Sequence, residues 1–151
     1  MRGSILALVL AVAGCTPGGV ITGGGGGVAA QTITVNLTLN APTQTPAGTS
    51  GGFSPAITNV AVGSTINFIN TDSFAHTATF ISATASTFPT AYPFNASALT
   101  RTGTVVSQFF TSGALQPNQT TQTITIDKPG TYLYGCFFHY GSPMRGIIVA
   151  Q

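Results

Sequence analysis

This chain of 151 residues is poor in almost every group that does chemistry in water: it has no Glu, no Trp, two Asp and four Lys or Arg, so charged residues make up 4%. So few carboxylates leave no pair for acid–base hydrolysis, and there is no catalytic triad or phosphate-binding loop. The cations form no basic patch for nucleic acid. No acidic face exists to steer a cationic partner, so docking on another protein is expected to be mainly apolar. Only two histidines are present, too few for the several metal centres of a multicopper oxidase or a copper nitrite reductase. No amphipathic helical period of any length appears, and no run beyond the N-terminus is long and apolar enough to span a bilayer. The 43% hydrophobic content still supports a packed core, and the length suffices for one domain plus a tail.

Against that background one cluster stands out. Cys136, His139 and Met144 lie within nine residues, spaced C-x2-H-x4-M, and His76 is the other histidine of the chain. Apart from Met1 and Cys15, the sequence holds one Cys and one Met, and both fall in this set. Thiolate, imidazole and thioether are the ligands that suit a copper ion cycling between two oxidation states. A thiolate and two imidazoles in a roughly trigonal plane with a long axial thioether make the blue-copper arrangement. Cys136, His76 and His139 would supply the plane and Met144 the axial ligand. A structural zinc ion would want a fourth strong ligand in place of Met144. The expected function is a one-copper electron carrier and not an enzyme; the alternative is a copper-binding or copper-delivery protein without electron traffic. Phe138, Tyr140 and Pro143 are expected to form an apolar rim at the copper-facing edge of His139, where a redox partner would dock briefly. The chain is expected to be a monomer.

Residues 1–14 carry the marks of an export signal: Arg2, an apolar run over 5–13, and small residues before Cys15. The sequence VAGC over 12–15 resembles the bacterial lipobox, which implies a lipid-modified Cys15 at the mature N-terminus and a protein held on a membrane, on the periplasmic or cell-surface side. Ordinary cleavage nearby, or a disulfide between Cys15 and Cys136, are the competing readings; the disulfide would consume the thiolate that a metal needs. Residues 15–30 are a Gly-rich tether with a reach of about 20 Å. Loss of Arg2 takes the formal net charge from +2 to +1.

From residue 31 the hydrophobic period becomes two. Ile33, Val35, Leu37 and Leu39 alternate with polar residues, and further strands are expected over 57–62, 65–70, from His76 through Phe80, 105–110, 121–127, 132–136 and 145–150. Residues 41–55 and 83–104 are expected to be loops. Seven or eight short strands imply an all-β Greek-key antiparallel sandwich or barrel over 31–151. On the parity of one strand, Tyr132, Tyr134 and Cys136 share a face, which puts the thiol at the end of an inward aromatic row.

Two segments, GSTINFINTDSFAHTATF at 63–80 and PGTYLYGCFFHYGSPMRGIIV at 129–149, resemble the cupredoxins and within them the plastocyanin-like branch. The resemblance implies copper binding by His76, Cys136, His139 and Met144, and an inward Tyr132 near the start of the ligand-bearing strand. It covers most of 53–151, matching poorly over 83–110. Thr77 departs from the family pattern, which usually has Asn after the first His, so the hydrogen bond that supports the Cys136 sulfur needs another source.

Overall fold

The computed structural model describes residues 29–151. The expected signal peptide, the lipid site at Cys15 and most of the tether lie outside the described residues. Ten strands follow in order: β1 (Thr32–Leu37), β2 (Thr43–Thr45), β3 (Gly48–Ser50), β4 (Phe53–Ser54), β5 (Ile57–Val60), β6 (Thr65–Asn70), β7 (Thr79–Ser82), β8 (Ile124–Thr125), β9 (Gly130–Gly135) and β10 (Arg145–Ala150). They build a β-sandwich. One sheet has the order β4-β1-β6-β8, the other β5-β10-β9-β7, and β2 with β3 makes a separate hairpin.

Each sheet contains one parallel pair, β1 with β6 and β5 with β10, so the sandwich is not antiparallel throughout. The alternation read from the sequence does the packing. In β1, Val35 and Leu37 are fully buried; in β6 so are Ile66 and Phe68. Between the sheets the Tyr134 ring meets Phe53 and Phe68 edge-on, with centroids 4.8 and 5.1 Å away, the geometry that aromatic quadrupoles favour. Gly146, directly across from Tyr134 in the β9–β10 ladder, leaves room for that ring: a Cβ there would lie 2.8 Å from Tyr134 Cε2.

Three expected strands shift, shrink or vanish. The one expected from His76 through Phe80 pairs only from Thr79, as β7, and His76 makes an isolated bridge with Leu115 ahead of it. Residues 105–110 form no strand, although Val106 and Phe110 are core residues. The segment is held instead by an isolated bridge of Val105 to Thr125 and by Asp127, whose carboxylate accepts the Ser107 amide at 3.0 Å and its hydroxyl at 2.5 Å. Of 121–127 only Ile124–Thr125 pairs as a strand. The expected loop at 41–55 contains β2, β3 and β4, whereas 83–104 is irregular except for a 3-10 turn at Ala96–Leu99.

The site lies at one end of the sandwich. There β6 hands the chain across to β7, and the turn between β9 and β10 closes over the same end.

Candidate metal centre

His76 sits on the crossover between the sheets, its backbone paired with Leu115 through N–H···O contacts of 3.1 and 2.8 Å. Cys136 is the next inward residue after Tyr132 and Tyr134, one step past the end of β9, and is a free, fully buried thiol. The turn that follows is closed by the Cys136 amide donating to Met144 O and by the Ser142 and Met144 amides donating to His139 O, at 3.0, 2.9 and 3.0 Å. These contacts bring three donors together: Cys136 Sγ lies 3.8 Å from His76 Nδ1 and 3.7 Å from His139 Nδ1, and the two Nδ1 atoms are 3.1 Å apart. Among the described residues this is the one cluster of three His, Cys or acidic side chains able to hold a metal ion. Met144 is fully buried, its side chain lying against Gly52. A Cβ at Gly52, where φ is +70°, would sit 2.9 Å from Met144 Cβ and 3.0 Å from its Sδ, and closer still to Cγ.

The surroundings fix the protonation of each donor. Asp72 Oδ2 is 3.1 Å from His76 Nε2, so that nitrogen carries the proton and Nδ1 presents its lone pair. Burial alone would raise the Asp72 carboxyl, but hydrogen bonds from His76 and from the Leu39 and Ser73 amides hold it below its ordinary value. Asn70, the last inward residue of β6, shapes this loop: its amide donates to Phe74 O at 2.7 Å and Leu115 O at 2.8 Å, and its oxygen accepts the Asp72 amide at 3.0 Å. Desolvation, with a contribution from His76, pushes His139 below its ordinary value, which keeps it neutral. Desolvation pushes the Cys136 thiol up, opposed by the Thr77 amide, the amides of His139 and Phe138, and the Thr77 hydroxyl. A metal must therefore displace a proton from sulfur.

Thr77 supplies the support that its departure from Asn left open. Its amide donates to Cys136 Sγ at 3.4 Å, and its hydroxyl accepts the Phe137 amide at 2.8 Å.

The expected rim needs one correction. Phe138 is 44% exposed beside His139, and Pro143 is half-buried, but Tyr140 is 3% exposed. Its hydroxyl donates to Pro89 O at 2.7 Å and the Arg145 guanidinium lies 4.1 Å over its ring. Tyr140 packs the ligand turn onto the 83–104 segment and is unavailable to a partner. Phe74, 59% exposed on the loop that carries His76, joins Phe138 as an exposed apolar residue at this end. Sequence reading missed Asp72, Asn70, Gly52 and Phe74. Asp72 alone carried a legible signal: one of two acids in the chain, four residues before a ligand histidine.

The donor set fits copper. First-row metal–donor bonds of about 2.0–2.3 Å at roughly 100–120° put neighbouring donors about 3.1–3.8 Å apart, which matches the three separations. One soft thiolate, two neutral imidazoles and a buried thioether are the chemistry of a type 1 copper site. Comparison with known proteins agrees. The model of the copper-binding proteins of the plastocyanin/azurin family matches residues 43–151. No curated protein sequence matches the chain. Among solved structures, a purple cupredoxin from Nitrosopumilus maritimus is 20% identical with a TM-score of 0.50, the match covering 78% of this chain and 98% of that one. A copper-containing nitrite reductase from Thermus scotoductus is 24% identical with a TM-score of 0.50; the match covers 80% of this chain and 22% of that one.

Proposed function

Because the chain belongs to the plastocyanin/azurin family of copper-binding proteins, we propose that it is a mobile carrier of single electrons, held on a bacterial membrane by a lipid at Cys15 and working outside the cytoplasm. Copper is its cofactor, and when bound it supplies one-electron exchange between Cu(II) and Cu(I). The convergence of Cys136, His76 and His139 over a buried Met144 carries the reading. Cys136 binds as thiolate and His76 and His139 as neutral imidazoles. The donors are held by contacts that do not involve the metal: Asp72 on His76, Thr77 on Cys136, and the Cys136–Met144 hydrogen bond across the turn. A cage fixed in this way stays close to one geometry through the redox cycle and keeps reorganisation small.

His139 is the partly exposed ligand, and Phe138 and Phe74 stand exposed at the same end, which supports brief apolar docking of a redox protein there. Copper delivery asks for ligands that exchange readily, whereas His76, Cys136 and Met144 are fully buried. An enzyme of the nitrite-reductase kind needs a second copper centre, and both histidines of this chain already serve one site.

Absorption and EPR spectra of the Cu(II)-loaded protein test the reading. An intense band near 600 nm (roughly, for thiolate-to-copper charge transfer) with small copper hyperfine splitting is the expected result. A pale, tetragonal spectrum would overturn it. For the anchor, membrane fractionation and intact mass of the bacterially expressed full chain should show a membrane-bound, acylated product that Cys15→Ser releases.

A further inference from the structure

The described chain enters the domain at the end opposite the metal centre. Gln31 is fastened to the start of β6: its amide donates to Ser64 Oγ at 3.1 Å and its carbonyl accepts the Thr65 amide at 2.9 Å. From there β1 runs parallel to β6, with Thr32 across from Thr65 and Leu37 across from Asn70. At its finish Leu37 O accepts the Thr71 amide at 3.0 Å, and the Leu39 amide donates to Asp72 Oδ2 at 3.1 Å. Asp72 is the carboxylate that meets the ligand His76. The second sheet has the same two ends: Gly130 pairs with Ala150 at one, and Gly135 pairs with Arg145 at the other, beside Cys136.

The length of the domain along this direction can be counted. Seven steps separate Ala30 from Leu37. Leu37 pairs with Phe53, whose ring meets Tyr134 across the sandwich, and Cys136 lies two steps past Tyr134. Nine steps at about 3.3 Å put about 30 Å between the point of entry and the ligand sulfur. The Gly-rich sequence from Thr16 to Ala30 predicts a reach of about 20 Å. A lipid at Cys15 therefore keeps the entry end near the bilayer. To lay Phe138 and His139 on the headgroups, the domain must turn over and the tether must run back along the whole 30 Å. A linker asked to span more than its root-mean-square length delivers its cargo poorly.

We propose that the anchor holds the domain by the end away from the metal and presents the His139 face to water. Its partner is then a protein whose redox centre stands in the aqueous phase, and not a reductant confined to the bilayer such as a quinol. The inference rests on the anchored, copper-carrying reading above and gives it a direction: electrons enter and leave at the face farthest from the lipid. Phe138 and Phe74, exposed at that face, offer the partner apolar contact.

The test uses the acylated full chain in its Cu(I) form on phosphatidylcholine vesicles, with ferrocenium as oxidant. Each event moves one electron from Cu(I) to ferrocenium and is read as growth of the Cu(II) absorption band. The same ferrocenium is offered free in water or fixed to a lipid headgroup. A reference held by its other end is the full chain with Cys15→Ser and Ala91→Cys, coupled through the new thiol to a maleimide lipid. Ala91 is exposed and precedes Tyr92, whose hydroxyl donates to Phe137 O at 2.5 Å in the ligand turn, while Cys136 is buried. Lipid-fixed ferrocenium should oxidise the acylated protein about tenfold or more slowly than the reference, and free ferrocenium should oxidise the two at rates within about threefold. An acylated protein that lipid-fixed ferrocenium oxidises as fast as the reference overturns this inference alone. A chain that carries no acyl group overturns the anchor reading, and one without the band overturns the copper reading; either takes this inference with it.

Discussion

Gly52 and Met144 occupy complementary space: the missing side chain of one is the room taken by the other. Any Cβ at position 52 would fall within 3.0 Å of Met144 Sδ, and φ at Gly52 is +70°. Gly52→Ala should therefore act twice, through left-handed strain of about 1–2 kcal/mol and through overpacking of about 1–3 kcal/mol. Thermal or urea unfolding of the metal-free protein should record a loss of about 2–5 kcal/mol. In the copper-loaded variant the spectrum should change because Met144 is displaced. An unchanged spectrum and stability would contradict this packing.

Asp72→Asn keeps an oxygen for His76 Nε2 and removes the negative charge behind the imidazole. Loss of such a carboxylate partner costs about 10–100-fold in metal affinity, and the oxidised ion should suffer more because it carries the higher charge. Competition titrations should show weaker Cu(II) binding and electrochemistry a raised potential. A lowered potential would show that the carboxylate does not reach the ligand as described.

His139 gives the metal-free protein its pH dependence near neutrality. Desolvation and His76 hold its folded-state value below the ordinary 6.5. Between those two values the unfolded chain binds more protons than the folded one, so stability is full above about pH 6.5 and falls as pH drops toward the folded value. The slope cannot exceed about 1.4 kcal/mol per pH unit for one proton. Urea unfolding at several pH values should show the decline in the wild type and a flatter profile in His139→Asn.

Phe138 should matter for electron exchange and not for the metal. With formal charges summing to only +2 over the whole chain, self-exchange between Cu(I) and Cu(II) forms should depend weakly on ionic strength. Phe138→Glu places carboxylates face to face across the docking contact. It should slow self-exchange about tenfold at low salt, a cost of about 1.4 kcal/mol, with partial recovery at high salt. The absorption band should stay in place.

The sequence made the ligand set legible because its ligand residues are so rare, and β1, β6 and β9 legible because their inward positions alternate without interruption. It misled at 105–110, where Val106 and Phe110 do alternate inward but no neighbouring strand continues far enough to pair with them; β8 is two residues long. Tyr140 was assigned outward because it neighbours a ligand. Its direction is settled by Arg145 and Pro89, contacts that a linear reading does not show. Asp72 is legible as an acid four residues before a ligand histidine, and the fold is what shows its carboxylate aimed at His76.

The crossover at His76 and the turn at Cys136 are 60 residues apart in the chain, and a metal held by both is a reversible crosslink between them. Any opening that keeps the metal must keep that loop closed and forgoes the entropy of releasing it. Fluctuations should therefore begin at the far end of the sandwich, around the Lys128–Gly130 turn and the start of β6. Backbone amides near the ligands should exchange with solvent last in the loaded protein. Removing copper should erase that gradient, so the ion decides where the fold comes apart first.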